Sequence, residues 1–226
     1  MFSRFFSASY LREIILGGQD GLVNVLGIVL GLAIATSDAR IVLIGGLAAT
    51  FAESVSMGAV AYTSTKAAHD FYHKMLREEF SEIEEKPEEG VREIAEIYRD
   101  KGLREPHLSH IVKTITSNRE VWLETMMTEE IRLAHIEHGT PLRCALTVGV
   151  SAVVGSIIPL IPFLFLPVGL AVLGSIVFSV ATLFIGGGMK ARLTVGNWRR
   201  EGLEMAAIGT VCAAAGYAIG VLLKAV

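Results

Sequence analysis

The chain has 226 residues, 52% of them hydrophobic, and a mean hydropathy of +0.52. That is too apolar for an ordinary soluble domain, while 19% charged residues are too many for a chain sunk in lipid throughout. A net charge of -3, with no basic stripe carrying interleaved aromatics, argues against a nucleic-acid partner, and Cys144 and Cys212 show neither metal-ligand spacing nor a disulfide framework.

A helix crossing the hydrocarbon core needs about 20 mostly apolar residues. Stretches near 14–37, 41–65, 142–164, 167–189 and 203–223 meet that need, which predicts five transmembrane helices. The first run is too long for the core of a signal peptide and is read as a span. Only Ser37, Asp38, Ala39 and Arg40 separate the first two spans, so these form a tight helical hairpin. Pro159, Pro162 and Pro167 crowd the connection between the third and fourth. Arg4 and Arg12 precede the first span, and Lys190, Arg192, Arg199 and Arg200 lie between the last two. The excess of positive charge puts the N-terminus and that loop in the cytoplasm, with the C-terminus outside.

The first span carries Asp20, with Asn24 one turn further on the same face. An ionisable group there lines a pathway, or sits near the interface and pairs with Arg12 or Lys66. The second span carries Gly45, Ala49, Glu53, Met57 and Ala61 at successive i+4 positions. Small residues allow close helix packing in lipid, and Glu53 with Met57 offers adjoining oxygen and sulfur donors. A buried carboxylate must be neutralised or paired, so a group exchanging a proton for a metal ion is satisfied in both states.

Between spans two and three the composition inverts. Residues 66–141 hold 17 of the 23 acidic residues and 11 of the 20 basic ones. The expected division is 1–65 for the tail and spans one and two, 66–141 for a helical cytoplasmic metal-binding domain, and 142–226 for spans three to five. With no Gly or Pro in the way, the second span is predicted to continue as one helix to about Glu85, ended by Pro87. Further helices are expected over Glu88–Lys101, over His107–Thr116, and from near Asn118 to about Gly139. Glu82 and Glu85 share one helix face, as do Glu93 and Glu96. Like charges at this spacing repel and call for a cation or full solvation; for Glu84, Glu88 and Glu89 solvation is the better reading. Met126 and Met127 read as core when taken alone, Met127 continuing an apolar stripe with Leu123, Ile131 and Ala134.

With these features assembled, the chain resembles the vacuolar iron transporter family over nearly its whole length. The resemblance rests on Asp20-Gly21-Leu22, on Ser56-Met57-Gly58, and on Trp122-Leu123-Glu124-Thr125-Met126-Met127 followed by Glu130. Lys190-Ala191-Arg192 and Gly202-Leu203-Glu204-Met205 look like the family's last connection. It implies a homodimer with the ion path between subunits, lined by Asp20 and Met57. It also implies metal ligation by Glu82, Glu85, Glu93, Glu96 and Glu130, supplemented by Met126 and Met127. The activity implied is export of Fe²⁺, often Mn²⁺ too, from the cytosol in exchange for protons, with no organic cofactor. Plant-type members carry a pathway Glu where this chain has Ala49; here the carboxylate is Glu53, one turn nearer Met57.

The expected protein is thus an all-α, multi-pass membrane protein embedded in lipid, not an enzyme, with divalent metal ions and protons as substrates and Asp20, Asn24, Glu53 and Met57 along the path. Mixed carboxylate and thioether donors suit Fe²⁺ or Mn²⁺ better than Mg²⁺ or Ca²⁺. The alternative is a membrane-bound metal sensor, which has no need of ionisable groups inside its spans. A ferritin-like di-iron oxidase is disfavoured because its Glu-x-x-His motifs are missing from the acidic helices. With a short N-terminal tail, the expected location is a prokaryotic plasma membrane.

Overall fold

The structure is a computed structural model that describes residues 8–133, 140–194 and 196–224. Its elements are helical: α1 (Ala8–Thr36), α2 (Ala39–Glu85), α3 (Pro87–Asp100), α4 (His107–Thr116), α5 (Arg119–Thr125), α6 (Pro141–Ile157), α7 (Ile161–Phe165), α8 (Val168–Leu193) and α9 (Trp198–Lys224). Five helical stretches are long and apolar enough to span a membrane: Tyr10–Thr36, Ala39–Glu85, Pro141–Phe165, Val168–Leu193 and Trp198–Lys224. The chain is an all-α, multi-pass membrane protein. It divides into two compact units, Met1–Thr63 with Gly139–Val226, and Ser64–His138. Each is described by itself.

In the first unit α1 is the hub. Val25, Val29 and Ala33 pack with Val42, Leu160, Phe163 and Ala171. Leu26 and Leu30 meet Ala213, while Leu22 and Val23 meet Leu183 and Met205. The neighbours approach closely because glycines face them. A Cβ on Gly155 of α6 would lie 2.0 Å from the Gly18 carbonyl oxygen of α1, and one on Gly216 of α9 would lie 2.2 Å from that of Gly27. In lipid, where water drives no association between apolar faces, this backbone contact is the main source of packing energy. Outward side chains such as Leu146, Val150, Phe178 and Val211 are exposed and apolar, as a lipid-facing surface requires.

The connections follow the sequence with one difference. Ser37 adopts φ 54 between α1 and α2, and Asp38 Oδ1 accepts from the Arg40 amide at 2.8 Å. The prolines expected to mark the third-to-fourth connection lie mostly inside the third span. Pro159 has no N–H to donate to the Gly155 carbonyl, and Ile158 takes that acceptor in a tighter i→i−3 bond. A 3₁₀ turn over Ile158–Leu160 and the short α7 result. Ser175 Oγ of α8 donates to the Pro159 carbonyl at 2.8 Å. The chain reverses only at Leu166 and Pro167, both extended.

In the second unit α2 runs unbroken to Glu85, as its sequence predicts. Ile83, Ile94, Leu108, Val112, Ile115, Trp122 and Met126 form the core. Gly102, at φ 98, ends the turn after α3, and Asn118 caps α5 by accepting from the Glu120 and Val121 amides. The helix expected to reach Gly139 stops earlier. After Thr125 it widens into a π-helical turn over Met126–Glu130, closed by the Ile131 amide on the Met126 carbonyl, and Arg132 has φ 58. Widening lets the adjacent Met126 and Met127 both be buried, at 2% and 1% exposure, which a regular α-helix opposes by setting neighbours about 100° apart. Ala134, the expected end of the apolar stripe, lies outside the described residues.

The α1–α6 contact sets a test. Gly155→Ala forces the Gly18 backbone away and is expected to cost about 1–3 kcal/mol of stability. Gly169→Ala, with nothing within 4 Å of the new methyl, is expected to leave thermal unfolding in detergent unchanged. Equal melting curves for the two variants contradict the packing argument.

Candidate ion-path and metal-binding residues

Within the first unit, α1 and α2 bring Asn24 and Glu53, two of the four expected path residues, into contact. Asn24 Nδ2 donates to Glu53 Oε1 at 2.5 Å. The Asp20 carboxyl is near enough to Glu53 to act on it electrostatically. Met57 stands one turn beyond Glu53 on α2 and is half-buried. Asp20 also lines a hollow of about 570 Å³ with Arg12, Gln19, Val23, Lys190 and Ile208. Lys190 is held by Glu201 at 2.6 Å, and among the described residues no ion pair joins Asp20 to Arg12. A carboxyl held by an amide, with a second carboxyl near enough to act on it, can share a proton with that neighbour or bind a cation.

In the second unit one acidic residue stands apart by its burial. Glu79, at 8% exposure, is the one buried carboxylate among the described residues, and its Oε2 has no hydrogen-bond partner. Burial first, then repulsion from Glu130, Glu82, Glu93 and Glu78, pushes its pKa up to about 7. Glu130 is raised by burial and then by Glu93 and Glu82, and Glu93 by burial and then mainly by Glu89 and Glu82. Glu79, Glu82, Glu93 and Glu130 are thus electrostatically one group. Glu82, Glu85, Glu96 and Glu130 are all exposed; Glu96 also acts on Glu93, and Glu85 accepts from Ser81 Oγ at 3.1 Å.

Several of the remaining carboxylates are paired. Glu84 pairs with Arg119 and Glu129 with Lys101, while Glu89 lies between Lys86 and Arg92. Met126 is a core residue packed with Ile83 and Ile94. Met127 lines a hollow of about 260 Å³ with Tyr72, Leu76, Glu120, Leu123, Glu124 and Thr128. Among the described residues no three His, Cys, Asp or Glu side chains stand close enough to hold a metal ion as they are placed. Repulsion among uncompensated carboxylates acts against such closeness.

Sequence reasoning passed over Glu79. The signal was present, because Glu79 and Glu82 repeat the Glu-x-x-Glu spacing one turn earlier than the pair Glu82 and Glu85. Spacing could not rank the two, since it does not say which turn of α2 the other helices cover.

The raised Glu79 carboxyl predicts a pH dependence. Folded Glu79 keeps its proton up to about pH 7, against 4.5 for the ordinary carboxyl, so the folded state binds more protons between those values. Stability of the metal-free protein therefore falls as pH rises through that window and levels off above it. Glu93 and Glu130 shift in the same direction. Glu79→Gln is expected to raise the melting temperature at pH 8 and to flatten its decline from pH 5 to pH 8. An unchanged pH profile sinks this assignment.

Comparison with known proteins agrees with the membrane bundle just described. Residues 11–221 match the VIT family. The chain is 32% identical over 216 residues to vacuolar iron transporter 1 of Arabidopsis thaliana, covering 95% of this chain and 86% of that protein. It is 34% identical over 214 residues to vacuolar iron transporter 2 of Oryza sativa subsp. japonica, covering 94% and 87%. Protein CCC1 of Saccharomyces cerevisiae matches at 27% over 216 residues, covering 92% and 67%. These relatives come from eukaryotes and the plant proteins are named for the vacuole, so the expected prokaryotic plasma membrane is not borne out. A match over nearly the whole chain, with the expected spans in the expected order, makes this protein a member of the VIT family.

Proposed function

We propose that the protein carries divalent transition-metal ions, Fe²⁺ first and Mn²⁺ second, out of the cytosol in exchange for protons. The observation that carries this reading is the contact of Asn24 with Glu53 between two membrane-spanning helices, with Asp20 on the same face of α1 as Asn24. Ionisable groups in spans are costly and are retained for pathways. The names of the relatives, iron transporters over most of their length, support the choice of cargo. Met57 adds a soft donor one turn from Glu53, which favours transition metals over Mg²⁺ and Ca²⁺.

In this reading the functional protein is a homodimer, with the path between the two copies of α1 and α2. Exposed apolar side chains on the spanning part of α2, Ile44 at 61%, Phe51 at 65% and Val55 at 72%, offer surface for a second copy or for lipid. The N-terminus and the acidic unit face the cytoplasm, on the side of Lys190, Arg192, Arg199 and Arg200. The acidic unit collects cations for the path, through Glu79, Glu82, Glu93 and Glu130 with Met126 and Met127 as auxiliary donors. A cation there relieves the repulsion that raises the carboxyl pKa values, so metal displaces protons on binding.

Flux into proteoliposomes under an imposed pH gradient tests the reading. Wild-type protein is expected to move Fe²⁺ only when the gradient is present. Asp20→Ala is expected to reduce flux to that of empty vesicles while the protein still folds; normal flux in that variant makes Asp20 an interfacial charge. Metal binding by a wild-type protein that shows no flux points instead to a membrane-bound sensor.

Replacing Glu79, Glu82, Glu93 and Glu130 together by Gln separates the two clusters. Calorimetric titration is expected to lose most bound metal, while flux is slowed but persists, since these groups concentrate cations outside the span. Undiminished binding in the quadruple variant removes the acidic unit from metal capture.

A further inference from the structure

Besides Asp20, α1 carries a second carboxylate, Glu13. Glu13 Oε1 accepts a hydrogen bond from Cys144 Sγ of α6 at 3.0 Å. Its Oε2 is shielded from solvent and has no hydrogen-bond partner. Arg143, next in sequence to Cys144, is engaged elsewhere, its guanidinium over the Tyr10 ring 4.4 Å from its centre, and among the described residues no ion pair joins it to Glu13. A carboxylate oxygen stripped of water and left unpaired is costly unless something else binds there.

The helical register places Glu13 with the path residues. Seven residues fall about 20° short of two full turns, so Glu13 and Asp20 lie on nearly the same face of α1. Asn24 continues that face one turn beyond Asp20, and Gly17, between Glu13 and Asp20, packs against the Val148 backbone of α6. At about 1.5 Å per residue, Glu13 lies about 10 Å nearer the N-terminal end of the span than Asp20.

We propose that Glu13 is a further carboxylate of the ion route, the station before Asp20, and that Cys144 is the positioning residue that fixes its orientation. The thiol takes one carboxylate oxygen and leaves the other for a passing divalent cation. A route with several moderate sites admits an ion and still lets it leave, whereas one deep site traps it. This inference rests on the transport reading above and extends it by one residue.

The competing role for the pair is a structural pin between α1 and α6. Glu13→Gln separates the two, because its amide oxygen still accepts from the thiol while the charge is gone. In Fe²⁺ flux into proteoliposomes, Glu13→Gln is expected to raise the half-saturating concentration about tenfold with the maximal rate and melting temperature nearly unchanged. Glu13→Asp, which keeps the charge, is expected to lie closer to wild type. Cys144→Ala is expected to raise half-saturation about threefold, and Cys144→Ser, which still donates, to restore it. Wild-type half-saturation in Glu13→Gln overturns the proposal, and so does a parallel fall of melting temperature and flux, which marks a pin. If Asp20→Ala is dead while Glu13→Gln is normal, transport stands and the Glu13 station falls. If wild-type protein shows no flux, the transport reading itself falls.

Discussion

The membrane unit depends on how closely α1 can be approached. Its neighbours touch it backbone to backbone, at Gly18 with Gly155 and at Gly27 with Gly216. Because lipid tails are as apolar as the side chains they replace, only dispersion contact and interhelical polar bonds hold spans together. Close approach maximises the first and fixes the rotation of α1 about its own axis. That rotation decides which residues face outward into lipid and which face other helices. Once Leu22, Leu26 and Leu30 are committed to the core, the polar residues Asp20 and Asn24 are committed to their own face, where α2 presents Glu53.

The acidic unit is governed by the opposite force. Its helices are held by one apolar core, yet that packing drives like charges together. Glu79 is buried without a partner for Oε2, and its neighbours Glu82, Glu93 and Glu130 raise its proton affinity further. The hydrophobic burial of residues such as Ile83, Ile94 and Trp122 is what offsets this repulsion. Other acids in the unit escape it by pairing locally, Glu84 with Arg119 and Glu129 with Lys101. The contrast within one segment, between satisfied acids and unsatisfied ones, distinguishes a solvated surface from a candidate cation site.

Two departures from regular helix show how local chemistry shapes each unit. Pro159 and Pro162 tighten the end of the third span because a missing N–H leaves a carbonyl to be satisfied in another way. The Met126–Glu130 turn widens because two adjacent methionines both seek the interior. The first is legible in sequence, since proline carries its constraint with it, although its place inside the span was not. The second was not legible, since nothing in the local sequence forbids an α-helix there.

Hydrophobic runs, loop lengths and loop residues by themselves determined the five spans, the tight Ser37–Asp38 reversal, the unbroken α2 and the positions of α3 and α4. Each follows from local rules of length, capping and periodicity that operate within a few turns of chain. The pairing of Asn24 with Glu53 was only half visible, because sequence shows that both are polar in apolar spans but not that they meet. Among the acids, spacing suggested Glu82, Glu85, Glu93, Glu96 and Glu130 and passed over Glu79, the one buried carboxylate among the described residues. Only tertiary packing could rank them, because the proton affinity of a carboxyl depends on the water it loses and the charges brought near it. The same holds for Glu13, whose contact with Cys144 joins residues 131 positions apart. Distance along the chain carries no record of such an encounter, and burial alone creates it.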